Sequence, residues 1–448
     1  MLKRFAFLAA FILFTVNIFA QTNAKQNNPN IKSITLNEAV VLALKNNVSI
    51  KREEISLGAA KRASAHSWNS ILPSISVSAN DEIELPDLNK RANNAVTGIQ
   101  NNVGVEGRVA LSMSSDFFAS IKKAKLDYES ACISFEQAVS EITSQIKETY
   151  FSLIFAKQNL DFLKENLGNA KKQFQQNEER YRHGTLSELE YLSSKVSYEK
   201  LKPELKSHEL AFKNDLKSFC LFLGLEDEQI ILSGSLEDFI LQYKTAFNNA
   251  LKNELSQKVQ NGDIPSIIYL EKQLEAAKKG VSVSRLSAYG PNANLSYSVN
   301  PVITGSDKGR IKQSASVSIS IPLDNLLPFS KGADSIKAAK DSVKDLELQL
   351  VEKNRTVKAD FSYIIQSLNQ KEESIVSLKD LVKLAQKNYE TVKYSYSKGM
   401  TEFLSVQNAS KDNLEAKLNL QNEYLENLKL YVALEKLCGK SAFTGELE

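Results

Sequence analysis

The sequence predicts a mainly α-helical chain with a small β part, laid down twice, and three observations carry that reading. First, with Pro73 set on Pro291, an offset of 218, Ile50, Glu53, Ala59 and Lys61 fall on Ile268, Glu271, Ala277 and Lys279. With Gly184 set on Gly399, an offset of 215, Tyr181, Leu189 and Gly224 fall on Tyr396, Leu404 and Gly439. A period this long is far beyond a solenoid unit and implies a duplicated half-structure with internal pseudo-two-fold symmetry. Second, residues 116–181 hold no proline and a single glycine, Gly168, while Phe135, Val139, Ile142, Ile146, Thr149, Leu153, Ala156, Leu160, Leu163, Leu167, Ala170 and Phe174 keep three- and four-residue steps, with Tyr181 seven residues further on. That is coiled-coil spacing, and a helix of this length runs about 100 Å. Third, four short stretches alternate apolar and small polar residues as strands do.

In order along the first half, Thr35-Leu36-Asn37-Glu38 opens a helix with Thr35 or Asn37 as cap, and the helix runs on to end before Pro73. Ile71, Ile75, Val77, Ile83 and Leu85 then hold the odd positions against Ser74, Ser76, Ser78, Asn80 and Glu82. After a polar stretch from about Pro86 to Asn102, Val103, Val105, Val109, Leu111 and Met113 form the partner strand. The long helix follows, then a turn at Gly184, then a helix from about Leu186 to Leu223. The two shorter helices, stacked end to end, match the long one in length and can cover its apolar stripe. The second half repeats the plan: a helix at about 264–285, strands at 294–303 and 314–323, a long helix at 332–396 and a returning helix at 402–437. The divisions are a signal segment 1–20, a first repeat 21–229, a linker or equatorial region 230–262, a second repeat 263–440 and a tail 441–448.

Residues 1–20 have the charged, apolar and cleavage order of a secretory signal, Lys3-Arg4, then Phe5 to Phe19, then Ala20-Gln21, so the mature chain is expected to begin near Gln21. No cysteine follows it, which argues against an N-terminal lipid anchor. Beyond the signal no window is apolar enough for a spanning helix. The 56 basic and 53 acidic residues are interspersed and nearly cancel, leaving no basic stripe for nucleic acid. Cys132, Cys220 and Cys438 are too few for a disulfide scaffold; Cys220 and Cys438 end equivalent helices and read as small apolar packing, with a bridge between the halves as the alternative.

Two-stranded hairpins are not stable alone, and four strands cannot close a barrel. Several chains donating four strands each can, and three would give twelve. Strands of about ten residues, serine-rich on one face and apolar on the other, suit a tilted membrane crossing with a wet interior.

With these features in view, the chain resembles the TolC-like outer membrane efflux protein family over nearly all its mature length. The resemblance rests on Thr35-Leu36-Asn37-Glu38-Ala39-Val40, on Ile71-Leu72-Pro73-Ser74-Ile75, on Ile321-Pro322-Leu323, and on the paired turns Tyr181-Arg182-His183-Gly184 and Tyr396-Ser397-Lys398-Gly399, each with leucine five residues after its glycine. It implies a homotrimer in the outer membrane, with a twelve-stranded β-barrel and a long periplasmic α-barrel built from the helical hairpins. It implies partnership with a periplasmic adaptor and an inner-membrane pump such as a resistance-nodulation-division or ABC transporter, and no catalysis or cofactor. By position, Tyr181, Gly184, Leu189, Tyr396, Gly399 and Leu404 become the adaptor-contacting turns, and Pro73, Pro291 and Pro322 the barrel-to-helix junctions. The first strand exit, Leu111 to Ser115, lacks the proline that Pro322 supplies in the second half.

Where family members often carry an acidic constriction ring, six and nine residues after the second glycine, this chain has Ser405 and Asn408; Glu190 and Ser193 stand at the corresponding places in the first half. The expectation is a constriction with weak cation preference. No phosphate loop, His-Glu-x-x-His, Gly-x-Ser-x-Gly or spaced metal-ligand cluster occurs, and His66, His183 and His208 are isolated. The alternative from another class is a soluble periplasmic coiled-coil adaptor or structural protein; within the channel class it is type I protein secretion. Two hairpins, with strand pairs set between helices, favour a channel.

Overall fold

The computed structural model describes residues 32–84, 100–225, 230–303 and 309–439. The signal segment, Leu85 with the polar stretch 86–99, and the tail 441–448 lie outside the described residues, as does the side chain of Ile83. The first half begins with strand β1 (Lys32–Ile34) and helix α1 (Leu36–Asn46). Thr35 caps α1 in a reciprocal capping box: its hydroxyl accepts from Glu38 N at 3.3 Å, and the Glu38 carboxylate accepts from Thr35 N at 2.9 Å. The helix expected to run unbroken toward Pro73 is interrupted at Asn47, whose backbone is extended (φ −60°, ψ 129°), and α2 (Val48–Ala65) starts anew. The cause is the asparagine side chain. Its oxygen caps Ser49 N at 2.8 Å and its amide donates to the Phe222 carbonyl at 3.2 Å, satisfying groups that an unbroken helix would leave to other partners.

A 3-10 turn (Ser67–Ile71) leads into β2 (Ser74–Glu84), which pairs with β3 (Gln100–Ser114). Helix α3 (Phe117–Arg182, 66 residues) runs about 100 Å and α4 (Glu188–Phe222) returns along it. Asn46 and Asn47 both donate to carbonyls at the end of α4, Leu223 and Phe222, so the short helices do meet end to end beside the long one. At the meeting point Gly224 (φ 72°) ends α4 so close that a β-carbon would lie 2.6 Å from Asn46 Cβ.

Region 230–262 is built into the fold. It contributes β4 (Ile230–Leu232), parallel to β1, then α5 (Leu236–Ala246) and α6 (Asn249–Asn261). At the repeat offset, α6 stands where α1 stands in the first half. The second half continues with α7 (Pro265–Tyr289), β5 (Asn292–Pro301), β6 (Ile311–Ser320), a 3-10 turn (Leu323–Leu326), α8 (Lys331–Ser397, 67 residues) and α9 (Phe403–Cys438). Gly439 (φ 66°) ends α9 against Pro265, repeating the Gly224 contact.

The main core sits at the equator, where Tyr150 and Phe151 of α3, Phe219 of α4, Phe239 and Tyr243 of α5 and Tyr431 of α9 pack together with Cys220 and Cys438. The Tyr150 hydroxyl lies 2.9 Å from the Ile34 carbonyl and 2.8 Å from that of Ser233, tying α3 to both short strands. Among the described residues no helix is long and apolar enough to cross a membrane.

Candidate functional site

The sheet runs β2-β3-β5-β6, antiparallel throughout, with the β3–β5 pairing joining the two halves. Its register sorts residue types by face. Ile75 pairs with Val109, Val109 with Tyr297, Leu111 with Leu295, and Leu295 with Val317, so these side chains share one face. Ser74, Ser76 and Ser78 on β2, Arg108 and Ser112 on β3, Ser296 and Ser298 on β5, and Ser314, Ser316 and Ser318 on β6 share the other. The serine face is cross-linked: Ser296 bonds Ser316 at 2.7 Å, Ser298 bonds Ser314 at 2.9 Å, and Arg108 reaches Ser296 at 3.5 Å. The opposite face leaves Ile75, Val77, Val109, Met113, Leu295, Tyr297, Val317 and Ile319 exposed. Among the described residues β2 and β6 each have a strand on one side only.

The three prolines stand where helix gives way to strand or strand to helix. Pro73 lies between a 3-10 turn and β2, Pro291 between α7 and β5, and Pro322 two residues after Ser320, the end of β6, capping the second 3-10 turn. The first strand exit turns without a proline because Ser115 does the fixing: its hydroxyl donates to the Leu286 carbonyl at 2.8 Å, and it lies so close to Gly290 that a β-carbon there would collide with it.

Both hairpin tips close in the same way. Gly184 and Gly399 adopt left-handed backbone (φ 68° and 75°), and Thr185 N and Met400 N each bond 2.9 Å back to the carbonyls of Arg180 and Ser395. Around these turns the equivalent tyrosines diverge. Tyr181 is 38% exposed and stacks on Tyr191 with ring centres 4.9 Å apart, whereas Tyr396 is 4% exposed against Phe403 and Val406. The Tyr396 hydroxyl donates to Asn177 Oδ1 at 3.0 Å, and the Arg180 guanidinium lies 5.5 Å from its ring centre. Burial raises the Tyr396 pKa, the nearby Glu190 carboxylate raises it further, and Arg180 and the Asn177 bond oppose them.

Glu190 is thus half-buried in the contact between hairpins, while Ser405 and Asn408 are exposed on α9, as are Leu189 and Leu404. The structure therefore brings Tyr396 and Glu190 together and leaves Ser405 and Asn408 exposed. Asn177 was not singled out by the sequence reading. Its signal was a polar residue in an apolar stripe, since it continues the steps from Ala170 and Phe174 to Tyr181.

Residues 39–216 match the family described as outer membrane efflux protein. The match covers most of the first repeat. The description of that family sets its members in the outer membrane. The whole described fold agrees with solved channels. CusC aligns with a TM-score of 0.75 at 13% identity, over 94% of this chain and 96% of that one. The outer membrane protein VceC of Vibrio cholerae gives 0.70 at 15% identity, covering 91% and 96%. The outer membrane channel CmeC of Campylobacter jejuni gives 0.71 at 18% identity, covering 94% and 90%. No match was found among the curated proteins.

Proposed function

We propose that three copies of this outer membrane efflux protein form the exit duct of a tripartite efflux system. The observation that carries this is the sheet of the outer membrane part, with one face of exposed Ile, Val, Leu and Tyr, one of linked serines, and an unpaired strand at each side. An unpaired strand edge in lipid costs several kcal/mol for every unsatisfied backbone group, so the edges of β2 and β6 must be closed by neighbouring copies. Three copies give a barrel of twelve strands, lipid outside and a serine-lined lumen within.

The hairpins then extend the duct into the periplasm as an α-barrel about 100 Å long. The tips carry Tyr181, Gly184 and Leu189 on one hairpin and Tyr396, Gly399 and Leu404 on the other, and the exposed leucines offer an adaptor its apolar contact. Ser405 and Asn408 narrow the inner end. An inner-membrane pump of the resistance-nodulation-division or ABC type loads cargo through the adaptor. The test is single-channel conductance of the purified protein in a planar bilayer, paired with its oligomeric mass. Discrete steps from a trimer are expected; a water-soluble monomer or dimer without bilayer activity overturns the reading.

A further inference from the structure

Where β6 leaves the sheet, the chain does not turn polar. Ile319 and Ile321 stay exposed on the apolar face, and the 3-10 turn that follows keeps Leu323 and Leu326 at 68% and 66% exposure, with Phe329 at 78%. Residues three apart eclipse one another in a 3-10 turn, so the two leucines stand on one side of it. The turn is fixed rather than loose. The Asn325 amide donates to the Ala288 carbonyl at 2.9 Å, the Ser330 hydroxyl donates to the Asn325 carbonyl at 2.9 Å, and Ser330 then caps α8 by accepting from Ala333 N at 3.1 Å. Gly332 approaches so near that a β-carbon would lie 2.6 Å from Asn325 Cγ. Folding has therefore spent three polar contacts on holding a turn whose apolar side chains face outward.

The other strand ends on this side show the same trait: Trp68 and Leu72 precede β2, Phe118 follows β3, and Leu286 and Tyr289 precede β5, all exposed. Exposed apolar residues gathered at one end of a sheet point to a contact site. A neighbouring copy reaches β6 through its backbone edge, in the plane of the sheet, whereas these residues continue its apolar face.

We infer that the turn Leu323–Leu326, with Phe329, is an interfacial anchor that seats the barrel-to-helix junction in the periplasm-facing leaflet, its partner being the headgroup and upper acyl region of a phospholipid. Asp324 within the turn and Lys331 just after it are exposed and keep the segment at headgroup depth, because charges in the hydrocarbon are costly while aromatic and leucine side chains settle readily at the interface. The inference rests on the channel reading.

The experiment places an NBD fluorophore on Leu326→Cys or, separately, on Val317→Cys of the strand face, each in a Cys132→Ser background. Full-length protein is reconstituted into phosphatidylethanolamine–phosphatidylglycerol vesicles carrying nitroxide lipids labelled near the headgroup. Quenching at both positions, with Leu326 the more sensitive to the shallow nitroxide, is the expected result. Quenching at Val317 alone overturns the anchor and leaves the channel reading intact; if the unquenched Leu326 probe is then blue-shifted, a neighbouring copy covers the turn instead. Quenching at neither position overturns both.

Discussion

The hydroxyl of Tyr396 donates a 3.0 Å hydrogen bond to Asn177 Oδ1, joining the last turn of α8 to the end of α3 at a buried point between the two hairpins. Asn177 is fully buried, and among the described residues its amide nitrogen has no partner and its oxygen otherwise receives only Gln173 at 3.3 Å. Tyr396→Phe therefore removes the main bond of a polar group that water cannot reach, at a cost of about 1–3 kcal/mol. Hydrogen exchange is expected to quicken in residues 177–190 and 396–406 while the equatorial core keeps its protection. Unchanged exchange at the tips would show that the bond does not hold the hairpins together.

The equator carries a second link between the repeats. Lys147 of α3 and Glu435 of α9 pair at 2.6 Å with side chains only 4% and 6% exposed, and the Tyr243 hydroxyl donates to the same carboxylate oxygen at 3.3 Å. Removing one partner leaves the other charge buried, so Glu435→Leu or Lys147→Met alone should cost about 3–5 kcal/mol. The double variant should recover part of that loss, because two apolar side chains avoid the desolvation of both charges while the Tyr243 hydroxyl still loses the Glu435 oxygen. Thermal unfolding of the four proteins in a double-mutant cycle tests this; additive losses would mean that the two residues act separately.

Four equivalent glycines separate two causes of strain. Gly184 and Gly399 have left-handed backbone and open space around the missing side chain, so alanine there should cost only the conformational penalty of about 1–2 kcal/mol. Gly224 and Gly439 add a collision, with a β-carbon 2.6 Å from Asn46 Cβ and 2.5 Å from Pro265 Cγ respectively. Alanine at these two should lower the melting temperature clearly further than at the tips. Equal losses at all four would mean that the helix ends yield to the added carbon.

These glycines also show how much the sequence discloses. A residue that permits left-handed backbone, set between long apolar periodicities and repeated at a fixed offset, fixes the hairpins before any coordinate is known, and the period-two alternation fixes both faces of the sheet. The break at Asn47 was hidden because an asparagine within a helical pattern is ordinarily tolerated; only the Phe222 carbonyl, 175 residues away, makes capping its better use. Strands β1 and β4 are three residues each, too short for an alternation signal, and exist because Tyr150 and the equatorial core hold them together. The same holds for the Ser115 bond to Leu286 that replaces a proline at the first strand exit. Contacts distant in sequence decided each of these.

Ion selectivity follows from which polar groups the inner end offers. Ser405 and Asn408 are exposed and carry no charge, and Glu190, the acid at the corresponding place in the first hairpin, lies half-buried near Tyr396. Exposed hydroxyl and amide groups and a carboxylate turned into a contact between hairpins offer a lumen little charge, whereas a ring of free carboxylates would attract cations strongly. Reversal potentials in a salt gradient should therefore report weak cation preference for the native channel. Ser405→Asp should shift the reversal potential toward the cation limit by placing three free carboxylates in one ring, while Glu190→Gln should leave it nearly unchanged. Strong cation preference in the native protein that disappears in Glu190→Gln would reverse the assignment and make Glu190 the charge that lines the constriction.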